Sequence, residues 1–284
     1  MSKKIHIICD STCDLPEEVI KKYNIEIVPL FVTLGDKTFK DGVDIVPDDI
    51  YENYNKTKVL PKTAAVSPGI FEELFNKALE TYDEVIYIGI GSGLSTTYQS
   101  AVIAADGNER IFVLDSQNLS TGIGLLVLKI ISFIEEGKSG AEIKEQIEAL
   151  VPKVDASFVI DSLEYLYKGG RCSALSALGA NFLKLKPCIE VLNGKMGVGK
   201  KYRGQYETVL KQYVDERLEN TDIDKSAAFI THAGVDNAIV EQLKNQVIAK
   251  GIFEKIYVTR ASCTISSHCG KNTLGVLLIR NENK

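Results

Sequence analysis

A chain of 284 residues with 45% hydrophobic and 25% charged residues has the balance of a globular protein, built as one large or two modest domains. Its net charge is −5 and it holds no dense Lys/Arg run, which argues against a nucleic-acid binder. The most apolar helical stretch, Leu125 to Ile134, is interrupted by Lys129 and too short to cross a bilayer, so no stable membrane insertion is expected.

The N-terminus runs straight into a strand pattern, Lys4 to Cys9, with no signal-peptide core, and the protein is expected in the cytoplasm. Asp10 to Pro16 is a turn and Pro16 to Tyr23 a short helix with Pro in its first turn. Ile25 to Leu34 reads as a second strand, turned back at Gly35-Asp36-Lys37 into Thr38-Phe39. After a loop at Thr63 to Gly69 come a helix over Phe71 to Tyr82, a strand from Glu84 to Ile88, a glycine- and serine-rich turn, and a helix to about Ala105. Arg110 to Leu114 is a strand; Leu119 to Glu135 and Ala141 to Leu150 are helices. Strands separated by helices predict an α/β domain with a mostly parallel sheet between helical layers.

The pattern changes near Val151 to Asp155, which predicts domains over 1–153 and 154–284. The second half carries strands at Ala156 to Ile160, Ala227 to Thr231, Ile256 to Thr259 and Leu274 to Ile279, and helical stretches at Ser162 to Tyr167, Ala174 to Leu185, Tyr206 to Leu218 and Val235 to Lys250. Asn193-Gly194 between Pro187 to Leu192 and Met196 to Tyr202 marks a hairpin. This half is expected to be α+β, with helices covering the sheet.

The segment Gly89-Ile90-Gly91-Ser92-Gly93-Leu94-Ser95-Thr96-Thr97-Tyr98-Gln99-Ser100-Ala101 carries the clearest chemical signal. It lies on a strand-to-helix turn. Glycines there admit a ligand to the backbone, and hydroxyls and helix N–H groups suit a small anion such as a carboxylate. Taken alone, it reads equally as a plain N-cap. Asp10-Ser11, Ser67 and Asp115-Ser116 fall at loop or strand-end positions that converge on the same sheet edge, where open α/β sheets bind ligands. Asp10 and Asp115 suit orienting hydroxyls or capping N–H groups. His268, in a loop of small residues, is an anion donor or a structural histidine; His6 reads as structural and His232 as either. Arg171 follows two glycines, as a charge partner or a helix cap. Lys200, Lys201 and Arg203 form a basic cluster after the hairpin, either a solvated surface or a docking patch.

A dinucleotide fingerprint is not met: its third glycine falls at Leu94 or Thr96. Neither a Walker phosphate loop nor a G-x-S-x-G nucleophile elbow is present. The six cysteines include no Cys-x-x-Cys pair, and no metal is expected. An enzyme acting on a small carboxylate or nucleotide through Ser95 and His268 stays as the alternative reading.

The chain resembles the DegV family of bacterial fatty-acid-binding proteins. The resemblance is carried by Asp10-Ser11-Thr12-Cys13-Asp14-Leu15, Ser67-Pro68-Gly69, Ser92 to Ala101, Asp115-Ser116, Leu166-Tyr167-Lys168-Gly169-Gly170-Arg171 and His268-Cys269-Gly270, in order over nearly the whole length. It implies two α/β domains with one long-chain fatty acid in a tunnel between them. It also implies a carboxylate held by Thr63, by Ser92, Gly93, Ser95 and Thr96, and by His268. No cofactor and no catalysis by this chain are implied. The resemblance further implies that a separate ATP-binding fatty acid kinase protein phosphorylates the bound acid for phospholipid synthesis, docking near Arg203 and its neighbours Lys200 and Lys201. Two segments depart from the family pattern: Ala64-Ala65-Val66-Ser67 in place of Ser-x-Pro-Ser, and Gly270-Lys271-Asn272 in place of Gly-Pro-Gly.

Overall fold

The computed structural model describes residues 3–172 and 185–283. The helix expected from Ala174 to Leu185 lies outside them except for Leu185, which begins a strand.

β1 (Ile5–Asp10) passes through a short 3-10 turn into α1 (Glu17–Lys22), and β2 (Glu26–Val28) returns parallel to β1. The single strand expected from Ile25 to Leu34 is two. Pro29, which has no N–H for a ladder, separates β2 from β3 (Phe31–Leu34), and β3 turns antiparallel into β4 (Lys37–Lys40). α2 (Pro47–Thr57) was not foreseen. Its sequence is polar and buries only Ile50 and Tyr51; its start is marked by Pro47 and by Asp49, which accepts from the Val46 N–H. β5 (Lys62–Ala64), expected as loop, pairs with β3 and completes a three-stranded sheet.

α3 (Pro68–Leu79), β6 (Glu84–Gly89), α4 (Thr97–Ala105), β7 (Ile111–Asp115), α5 (Thr121–Glu135) and α6 (Gly140–Leu150) follow. The first sheet runs β2-β1-β6-β7, all parallel. β6 is buried at every residue because both faces are covered. Phe71 and Phe75 of α3 pack on Tyr87 on one face; on the other, Gly140 of α6 lies against Phe112 and donates its N–H to Glu84.

β8 (Val154–Asp155), β9 (Ser157–Ile160), α7 (Glu164–Gly169), β10 (Leu185–Leu192), β11 (Lys195–Arg203), α8 (Tyr206–Arg217), β12 (Ala227–Ala233), α9 (Asn237–Ala249), β13 (Lys255–Arg260), α10 (Cys263–Cys269) and β14 (Thr273–Ile279) complete the chain. Their sheet runs β11-β10-β9-β14-β12-β13, with β8 also on β14. Alternation along the strands divides its faces. Leu274 and Val276 meet Leu210 and Tyr213 of α8 and Leu243 of α9, whereas Phe158, Phe229 and Leu277 join the core of the first sheet. α5 fills the space between the two sheets. Nine of its residues are buried, which explains why its sequence is apolar nearly all round. Among the described residues no helix is long and apolar enough to cross a membrane.

Candidate functional site

The loops at the carboxyl ends of the parallel strands face the inner side of the second sheet across a cavity of about 450 Å³. Most of its wall is apolar: Leu30, Ile90, Leu119, Phe158, Leu166, Met196 and Leu277. Polar groups enter from Thr63, from Ser92, Ser95 and Thr96, and from Arg171 and His268; Gly93 lines it as well.

Thr63 and His268, 205 residues apart, meet here: Thr63 Oγ1 and His268 Nε2 stand 2.8 Å apart in a hydrogen bond. Both were expected in loops and both lie in regular structure. β5 fixes Thr63 by pairing with β3, and His268 sits near the end of α10. The other ring nitrogen, Nδ1, is buried against Gly169, without a hydrogen-bond partner among the described residues. Burial, and then the positive charge of Arg171, push His268 down to about 4, so the ring is neutral at pH 7.

A histidine whose folded pKa is depressed destabilises the fold on acidification. The unfolded chain binds the extra proton from about pH 6.5 and the folded chain only near 4. Asp14, pushed up to about 7 by burial, acts in the opposite direction and is common to wild type and variants. Between pH 6.5 and 4, wild type is therefore expected to lose roughly 2–3 kcal/mol relative to His268→Gln, read from urea unfolding at several pH values. Curves that stay parallel would show that the imidazole is not held neutral.

Gly169 makes room for that ring. A Cβ at this position would stand 2.6 Å from His268 Nδ1. Gly169→Ala is expected to displace the imidazole and weaken ligand binding, although alanine is the better helix former. Unchanged binding with an unchanged His268 ring resonance would refute this. Arg171, exposed at the rim, donates from Nη1 to the Gly169 carbonyl.

The turn before α4 is braced from two sides. Asp115 accepts from the Ser92 N–H at 3.0 Å, the Ser92 hydroxyl at 2.5 Å and the Gln117 N–H. Asp10, fully buried, accepts from the Ile90 N–H, the Tyr87 hydroxyl and the Thr12 N–H and hydroxyl. Ser116 donates to the Gly89 carbonyl, and Ser11 donates to Asp41 while accepting from the Leu30 N–H. Ser67 stands at the N-cap position of α3 without a side-chain cap bond. None of Asp10, Ser11, Ser67, Asp115 and Ser116 lines the cavity.

The glycines of this turn are closely packed by protein neighbours, and of the three only Gly93 also lines the cavity. Gly89 is packed on Asp10 and Tyr87, Gly91 on the 117–118 backbone, and Gly93 on the Gly194 carbonyl at the hairpin tip. Ser95 bonds the Thr97 hydroxyl and accepts from the Thr97 N–H, so the Ser95–His268 dyad of the enzyme reading is not formed. A histidine with a pKa near 4 is also a weak general base at neutral pH.

The basic cluster is split by strand alternation on β11. Lys200 turns to Glu216 of α8, bonded at 2.5 Å, while Lys201 and Arg203 project exposed from the opposite face. His6 stacks on Tyr82 and bonds Glu26, away from the cavity, and His232 lines the wall. Among the described residues no group of His, Cys, Asp and Glu is placed to hold a metal ion. Sequence reasoning missed Phe158, Met196, Ala233, Ala261 and Leu277 as wall residues; β14 is buried on both faces, and nothing local marks any of the five as facing a cavity.

A family model described as "Uncharacterised protein, DegV family" matches residues 4–281. A DegV domain-containing protein of Caldanaerobacter subterraneus subsp. tengcongensis is 36% identical over 281 residues, covering 96% of this chain and 98% of the other. Among solved structures, a DegV family protein from Thermus thermophilus, described for its fatty acid binding, superposes with a TM-score of 0.91 at 29% identity, over 98% of this chain and 99% of that one. A stearic acid-binding protein from Eubacterium ventriosum superposes with a TM-score of 0.83 at 26% identity, over 97% and 98%.

Proposed function

The chain belongs to the DegV family, and on that premise we propose that it binds one long-chain fatty acid, with the carboxylate at the Thr63–His268 pair and the tail in the apolar cavity. The observation that carries this reading is the meeting of these two side chains at the wall of a mostly apolar cavity. Thr63 Oγ1 and a ring N–H of His268 supply donors, and Arg171 supplies positive charge at the rim. A carboxylate arriving there raises the His268 pKa, so binding takes up protons as the pH falls. Each buried methylene contributes about 0.8 kcal/mol, so a dozen give about 10 kcal/mol before ordering costs. The division into 1–153 and 154–284 belongs to this reading. It is supported by the placement of every strand of the parallel sheet before that point and every strand of the larger sheet after it.

The finer step is that the chain presents its ligand, in the cytoplasm, to a separate ATP-binding kinase protein and catalyses nothing itself. The γ-phosphoryl group of ATP passes to a carboxylate oxygen, giving an acyl phosphate and ADP. The exposure of Ser92, Gly93, Thr96 and Arg171 at the rim supports access to the carboxylate. The hairpin that carries Lys201 and Arg203 touches Gly93 through Gly194 at its tip, while the two basic residues stand at its opposite end, paired with Pro187 and Leu185.

Mass spectrometry of an organic extract of the purified protein tests the first step. A stoichiometric fatty acid is expected; an empty extract together with no binding of added acids overturns it. The second step predicts acyl phosphate only when ATP and a fatty acid kinase protein are both supplied. Turnover without a partner would return the stand-alone enzyme reading.

A further inference from the structure

His268 stands near the end of a helix of only seven residues, and the start of that helix is held by two buried carboxylates. Asp14 Oδ1 accepts from the Ser262 N–H at 2.8 Å; Asp41 Oδ1 accepts from the Cys263 N–H at 2.8 Å and Asp41 Oδ2 from the Thr264 N–H at 2.9 Å. The two acids come from different places. Asp14, in the turn after β1, also takes the hydroxyl of Ser120 at the start of α5. Asp41, after β4, takes the hydroxyl of Ser11, and its own N–H bonds the Leu30 carbonyl. β4 belongs to the sheet whose β5 carries Thr63, so Asp41 joins both partners of the Thr63–His268 bond through one rigid element.

A serine or asparagine cap would satisfy a helix start without burying charge. Two acids bonded to three successive N–H groups fix the axis and the rotation of α10 as well as its fraying. We propose that Asp14 and Asp41 are positioning residues: they seat α10 so that His268 meets Thr63, and thereby set the preference of the cavity for a carboxylate over a neutral head group. The second clause rests on the fatty-acid reading; the first does not.

The two variants are expected to differ. In Asp41→Asn the amide NH₂ faces a backbone N–H that the carboxylate had accepted, because both oxygens serve N–H donors. In Asp14→Asn the Ser120 hydroxyl reverses and accepts instead, so less is lost. The test is titration of the full chain with palmitate and with hexadecanol, together with the imidazole ¹⁵N spectrum of the unliganded protein. Asp41→Asn is expected to lower the palmitate-to-hexadecanol affinity ratio about tenfold, Asp14→Asn less than about threefold, with the His268 Nε2 resonance shifted in the first. Equal weakening of both ligands with an unmoved His268 resonance would mean a merely structural role and overturn the proposal. If wild type binds neither ligand, the fatty-acid reading fails, and the resonance alone decides whether the carboxylates place His268. Should Asp41→Asn not fold, Ser11→Ala, which removes the hydroxyl donor to Asp41, is expected to lower the ratio in the same direction; an unchanged ratio there also overturns the proposal.

Discussion

His268→Ala is expected to weaken palmitate binding about 10- to 100-fold, and hexadecanol binding no more than about fivefold. The asymmetry follows from what each head group asks of the imidazole. A hydrogen bond to a charged acceptor contributes about 1.5–3 kcal/mol and one to a neutral hydroxyl about 1, with 1.4 kcal/mol per factor of ten. The truncation also leaves Thr63 Oγ1 without its 2.8 Å partner, so the second donor loses its orientation with the first. Thr63→Val, which keeps the shape and removes the hydroxyl, should reproduce the same selective loss. Titration calorimetry with the two ligands reads it directly. If both lose affinity alike, the ring is packing and the carboxylate lies elsewhere, the Ser92–Thr96 turn being the next place to look. With a kinase partner the same variants should form less acyl phosphate, and full turnover would place the head group away from Thr63 and His268.

That pairing was not available from local sequence patterns. The turn at Asp10, the β6-turn-α4 unit and the Asn193-Gly194 hairpin are legible because each has a local signature, a short apolar run followed by turn residues. Thr63 has none: Lys62–Ala64 is three residues long, and only the register with β3 makes it a strand. The helix of His268 is written in Cys, Thr, Ile and Ser, poor helix formers by intrinsic preference, and is stabilised at its start by Asp14, 248 residues from the Ser262 N–H that it accepts, and Asp41, 222 residues from the Cys263 N–H. The resemblance to a family supplied Thr63 and His268 as a pair; residue chemistry alone left His268 evenly divided. Elsewhere local reasoning was too simple. It joined β2 and β3 across Pro29, did not separate Gly93, which lines the cavity, from Gly89 and Gly91, which do not, and grouped Lys200 with Lys201 and Arg203, although a strand sends adjacent side chains to opposite faces.

The other large effect concerns the tail. Ala261 lines the cavity at 3% exposure just before α10, at whose far end His268 sits; the seven residues of that helix rise about 10 Å. A fatty acid with its carboxylate at His268 should meet Ala261 several carbons down the chain. Ala261→Phe puts a ring into that space, and each methylene it excludes costs about 0.8 kcal/mol, so four excluded methylenes weaken palmitate on the order of a hundredfold. Octanoate, which ends before the ring, should bind as it does to wild type. The fold should tolerate the change, because the added volume enters a cavity of about 450 Å³ and the Ala261 N–H keeps its bond to the His232 carbonyl. The measurement is affinity against chain length. Wild type should gain steadily with each added carbon; the variant should follow the same line for short acids and then flatten. A variant line that falls parallel to wild type at all lengths would put the head group, rather than the tail, beside Ala261, and would reverse the direction in which the acid enters the cavity.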